Sequence, residues 1–222
     1  MEDEDVILPE NYYSWKYLEF EKKMSEIYFY IPFNHKFESP MYKFGSIKFC
    51  EFATDIGNFV DTLFKKIEKL EYLDAIDGYS QIKGKPFFPE NFRKLIVNKF
   101  NFVDIKLSLE YSGITIKPFD RMNDDSPKEI IMNDYWYPKY SRLKHDTEKL
   151  FKSWTLKDCT YSLGCAFLLT FFFKKIIIND PSFSGHGFSR YFANLDDSFY
   201  NGSKGWAHVA WNYADQFNKM KH

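Results

Sequence analysis

Apolar positions along this chain keep a helical period, switch once to a strand period, and then return. Tyr17, Phe20, Met24, Ile27 and Ile31 recur at three- and four-residue intervals, which predicts a helix capped by Ser14 and stopped by Pro32. Ser39-Pro40, an N-cap followed by a first-position proline, opens a second helix. Phe49, Phe52, Ile56, Phe59, Leu63, Ile67 and Leu70 carry it to the neighbourhood of Asp74. After a loop through Asp77-Gly78 and residues 84–89, a short helix follows from Glu90 to Phe100. Val103, Ile105, Leu107, Leu109 and Tyr111 then alternate with polar residues, which is strand spacing. Ser112-Gly113 supplies a two-residue turn, and Ile114 to Ile116 returns before Pro118, so residues 103–117 read as a β-hairpin.

Helical spacing resumes from Pro138 to Lys152. Thr155 and Asp158 make a capping-box pair for an apolar helix that ends at Lys175. Glycines, prolines and serines mark residues 179–205 as irregular, and Trp206, Val209, Tyr213, Phe217 and Met220 share one face of a last helix. The expected fold class is mainly α, an up-down helical bundle with a small β-hairpin insertion. Residues 1–13 form a disordered acidic arm and residues 14–178 the bundle. Residues 179–222 are an irregular segment plus a C-terminal amphipathic helix packed on the same domain.

Composition supports a folded core. Of 222 residues, 45% are hydrophobic and 21% aromatic, so the chain as a whole is not intrinsically disordered. A net charge of -1 removes the strongly basic signature of many nucleic-acid binders, while leaving room for a local basic patch. Only 4 of the 30 basic residues are arginine, the side chain with a bidentate fork for phosphate. The start, MEDEDVILPE, lacks the basic and apolar regions of a secretory signal. Cys50, Cys159 and Cys165 form no CxxC pair, so they read as buried, reduced thiols of a cytoplasmic protein. The apolar run from Tyr161 to Phe173 falls short of the roughly 20 residues that a membrane-spanning helix needs, and no membrane association is expected. His186 and His208 have no second ligand at metal-like spacing. Phosphate loops, dinucleotide fingerprints and nucleophile elbows are absent from the sequence, so no metal and no cofactor is expected.

The candidate chemistry concentrates in residues 134–158. On a helical wheel Tyr140, Leu143, Thr147, Leu150, Phe151 and Trp154 gather into a core stripe. His145 lies about 140° from Tyr140, beside Ser141, Glu148 and Lys149. An imidazole there titrates near neutrality and can act as general acid or base. Arg142 and Lys144 flank it and would attract phosphate, and Asp146 adds an acceptor. A charged face turned to water accounts for the same spacing. On the second helix Glu51, Asp55, Asn58 and Thr62 form a polar row beside the apolar one. This row either faces water or, if the two helices pack together, lets Asp55 or Asn58 hydrogen-bond Lys144 or His145. Tyr135, Trp136 and Tyr137 either stack bases or pack over the end of the bundle.

Three stretches carry a family resemblance. MYKFGSIKFCEFATDIGNFVDTLFK resembles the long second helix of uncharacterised microbial HEPN-like proteins (higher-eukaryote and prokaryote nucleotide-binding). ITIKPFD is similar to their strand ending in Pro-Phe, and DYWYPKYSRLKHDTEKLFKSWTLKDCTYSLGCAFLL to their aromatic lead-in, Lys-His-Asp helix and apolar helix. The resemblance covers residues 40–75 and 105–175. It implies a bundle that pairs into a homodimer and binds or cleaves RNA without a metal. The implied role is in defence or in a toxin–antitoxin system, with an antitoxin or other protein as partner. The family motif is an Arg, usually then Asn, with four to six residues between Arg and His. Carried onto this chain, His145 is the histidine and Ser141 stands at the Asn position, while Tyr140 fills the Arg position and Arg142 lies three residues before His145. The implied site is His145, Arg142 and Lys144, with Ser141, Asp146, Asp55 and Asn58 in support. A non-catalytic interaction or nucleotide-binding module using the same face is the alternative.

Overall fold

The computed structural model describes residues 11–30, 46–69, 73–86, 88–100, 102–108, 114–121, 136–143, 153–174 and 194–195. These residues are mainly helical and pack as a bundle. Helix α1 spans Tyr12–Tyr30 and buries Tyr13, Tyr17, Phe20 and Met24. It therefore begins two residues before the expected cap, and Ser14 is buried within its first turn. Tyr12 and Tyr13, assigned above to the acidic arm, belong to this helix; residues 1–10 lie outside the described residues.

Helix α2 spans Ile47–Glu68. Its cap is Ser46, not Ser39: the extended backbone of Ser46 (φ -145, ψ 145) lets its hydroxyl accept the Lys48 N–H at 3.2 Å. Ser39-Pro40 lies outside the described residues. Lys65 and Lys66 suit the negative end of the helix dipole, and α2 ends at Glu68, before Asp74. Asp74 sits in a 3-10 turn, Leu73–Ala75, followed by the single-turn helix α3, Tyr79–Ile82. Gly78 takes φ 88 to join them. Helix α4 runs Phe88–Lys99.

The hairpin exists but is shorter than the alternation suggests. Val103 and Asp104 form a 3-10 turn with Phe102, because the Phe102 ring is pulled into the core against Phe119 (5.3 Å, stacked) and Phe172 (5.5 Å). Strands β1, Leu107–Ser108, and β2, Thr115–Ile116, pair antiparallel with Leu107 opposite Ile116. A two-residue turn at Ser112-Gly113 would have set Leu109 opposite Ile116. The register is thus offset by two residues, a slip that keeps Leu107 on the core face. A third strand, β3, Asn194–Leu195, pairs on the other edge of β1, within the segment expected to be irregular.

Helices α5, Trp136–Leu143, and α6, Leu156–Phe172, complete the described fold. Thr155 and Asp158 form the capping box that the sequence suggests. Helix α6 is apolar nearly all round because it is the central element, in contact with α1, α2 and α5. Gly164 lets the hairpin lie against it. A Cβ there would fall 2.8 Å from Pro118 Cγ and 3.1 Å from Ile116 Cδ1. No helix of the described residues is long and apolar enough to cross a membrane.

Candidate functional site

Helix α5 carries the part of the candidate site that the structure describes. Trp136, Lys139 and Tyr140 are buried, Tyr137 is half-buried, and Ser141 and Arg142 are exposed. The Tyr140 ring lies against the backbone of α2 at Gly57, where a Cβ would overlap it. Its hydroxyl proton is shared between Asn58 Oδ1 at 2.9 Å and Asp61 Oδ2 at 3.1 Å.

Asp61 is the hub of this junction. Its Oδ1 accepts the Tyr137 hydroxyl at 2.8 Å and Arg93 Nη2, from α4, at 3.0 Å. The Arg93 guanidinium also lies over the Tyr137 ring at 5.3 Å. A carboxylate only 12% exposed thus has a counter-charge and two phenol donors, which is what burying it requires. Burial pushes the Tyr137 phenol far above its ordinary 10.0; the Arg93 charge opposes the rise and the Asp61 charge adds to it.

A second tie lies on another side of α5. Lys139 Nζ donates to both oxygens of Asp158, at 3.0 and 2.9 Å. The same carboxylate accepts the Thr155 N–H at 3.0 Å and the Thr155 hydroxyl at 2.7 Å. One side chain therefore both caps α6 and neutralises a buried ammonium.

The expected polar row on α2 divides. Asp55 is half-exposed and pairs with Lys23 of α1 at 2.8 Å, while Glu51 and Thr62 are exposed. Asn58 reaches α5 through Tyr140, whose hydroxyl it accepts. Lys144, His145 and Asp146 lie outside the described residues. Tyr135 does too, and its neighbours turn out to be packing residues. The Trp136 ring is buried edge-on to Tyr137 (5.2 Å, 86°), so the aromatic lead-in covers the bundle and leaves Trp136 no face for a base.

Asp61 and Arg93 escaped the sequence reading, although two signals were available. Asp61 follows Val60 and lies four residues after Gly57 and three before Phe64, so the wheel puts it beside apolar positions. A glycine inside a helix, as at Gly57, marks close approach of a neighbour.

Among the described residues no three His, Cys, Asp or Glu side chains converge as metal ligands. The three cysteines are buried and form no disulfide. Cys159 Sγ donates to the Phe49 carbonyl (3.5 Å) and Cys165 Sγ to the Pro118 carbonyl (3.2 Å). Burial pushes the Cys159 thiol up, with Asp158 and Cys50 adding to the rise; it raises Cys50 as well. Neither is poised as a nucleophile. The outward groups of α5 are a hydroxyl and a guanidinium, which can bind a phosphate oxygen pair. No protein-family model, no curated protein and no solved structure matches the chain.

Proposed function

We propose that this chain is a HEPN-like bundle protein that binds RNA through the outer face of α5 and the residues that follow it in the sequence. Arg142, Lys144 and His145 are the contact residues, with Ser141 and Asp146 beside them. The observation that carries this reading is the exposure of Ser141 and Arg142 on a helix whose inner face is tied down at Tyr137, Lys139 and Tyr140. A guanidinium held at a fixed edge suits a phosphate backbone, and a protein of net charge -1 can still bind RNA through one such edge. The family resemblance supplies the homodimer, the defence or toxin–antitoxin role and a metal-independent cleavage by His145. In that chemistry the imidazole moves a proton while Arg142 stabilises phosphoryl charge.

Tyr140 favours binding without cleavage. It stands where the family's arginine would, yet its ring is buried and its hydroxyl is held by Asn58 and Asp61. The second reading is therefore a non-catalytic interaction or nucleotide-binding module on the same face.

Fluorescence anisotropy with a labelled single-stranded RNA tests the proposal. Wild type should bind, and Arg142→Ala should bind more weakly with a shallower salt dependence. The same RNA incubated in EDTA and run on a gel reports cleavage, which His145→Ala should abolish if it occurs. If wild type neither binds nor cleaves, the RNA reading is lost. Light scattering at micromolar concentration decides the homodimer.

A further inference from the structure

We infer that Asp61 is a positioning residue that sets the rotation of α5, and through it the presentation of Arg142. The consequence for Arg142 rests on the RNA-binding reading above; the rotation of α5 does not.

With 8 residues, α5 is too short to be stable in isolation, so contacts with its neighbours determine its placement. The Asp61 carboxylate gathers donors from two other elements, Arg93 from α4 and Tyr137 and Tyr140 from α5. At 3.6 residues per turn, Tyr140 and Arg142 point about 200° apart around the helix axis. Holding Tyr140 inward against Gly57 and Asp61 therefore holds Arg142 outward, and a roll that releases Tyr140 carries Arg142 toward the bundle. The Lys139 tie to Asp158 comes from a different helix and survives the loss of Asp61. It leaves α5 docked at a pivot while its rotation is freed.

Asp61→Asn keeps the shape of the side chain but removes the charge that binds Arg93 and one of the two equivalent acceptors. In the anisotropy assay it should weaken RNA binding, by no more than Arg142→Ala does, because it acts through the placement of Arg142. Asp61→Asn combined with Arg142→Ala should bind no worse than Arg142→Ala alone, because the first acts through the second. Losses that add would overturn that route. Hydrogen exchange supplies a readout independent of RNA: in Asp61→Asn the α5 amides should lose protection while those of α6 keep it. Unchanged α5 protection overturns the inference whether or not RNA binds. Failure of wild type to bind RNA, with α5 protection lost in the variant, overturns the RNA reading alone. If Asp61→Asn does not fold, Tyr137→Phe combined with Tyr140→Phe removes both α5 donors to Asp61 and carries the same expectations.

Discussion

The ring of Tyr140 occupies the space that a side chain at Gly57 would need. Intrinsic preference says that alanine is better than glycine inside a helix by about 1 kcal/mol. Packing says the reverse here, since overfilling a tight site costs about 1–3 kcal/mol. Tyr140 is almost fully buried and tied to Asn58 and Asp61, so it has little freedom to retreat. Gly57→Ala should therefore lower stability, by up to roughly 2 kcal/mol in urea denaturation. In a Tyr140→Leu background the penalty should shrink toward zero. A gain in stability for the single variant would show that α5 does not press on Gly57.

The alkaline side of the stability curve reports on Tyr137. Folding holds its proton well above the ordinary 10.0, so the native chain keeps a proton that the unfolded chain releases near that pH. The contribution is whole below 10.0 and declines as pH rises beyond it, by at most about 1.4 kcal/mol per pH unit for one proton. Tyr137→Phe removes that titration. It should be less stable than wild type at neutral pH, by about 1.5–3 kcal/mol for the lost hydrogen bond to the Asp61 carboxylate, and the gap should narrow as pH climbs. Parallel curves from neutral to alkaline pH would contradict the burial of this phenol.

Much of the fold was legible because its signals are local. Helix α6 follows from an apolar run and a cap three residues apart, Thr155 and Asp158. The start of α2 is harder to place because Ser39-Pro40 has the order of a cap and a first-position proline. What distinguishes Ser46 is remote: its N–H donates to the Trp154 carbonyl, 3.2 Å away. The hairpin register depends likewise on how Leu107 and Ile116 meet Gly164, which alternation along one strand does not encode. In the candidate site the burial of Tyr140 followed from the wheel. The role of Asp61 did not, since its partners Arg93 and Tyr137 lie 32 and 76 residues further along the chain. A wheel places Asp61 beside apolar positions but does not name the counter-charge that lets a carboxylate be buried there.

Thiol labelling checks the packing of α2 on α6. Cys50 and Cys159 are buried on those two helices, and Cys165 is buried farther along α6. A thiolate is the reactive form, and burial raises the pKa of Cys50 and Cys159, so native protein should resist a thiol-specific disulfide reagent. All three should react once urea unfolds the chain. A thiol that reacts within seconds in buffer would mean that this interface opens in the native state.

Lys139 and Asp158 should show strong coupling in a double-mutant cycle. Their side chains are 10% and 5% exposed, so removing one partner strands the other charge away from water. Such losses run to about 3–5 kcal/mol. Lys139→Met leaves the carboxylate with only its Thr155 donors, and Asp158→Asn leaves the ammonium facing an amide. The double variant buries no charge, and the amide oxygen introduced by Asp158→Asn can still accept from Thr155. Its loss should fall below the sum of the two singles by more than about 2 kcal/mol. Asp158→Ala should be worse than Asp158→Asn by about 1 kcal/mol, because it also opens the cap of α6. Urea midpoints for the four proteins of the cycle, and for Asp158→Ala, measure each term. Simple additivity would mean that the pair is held together by its surroundings rather than by its charges.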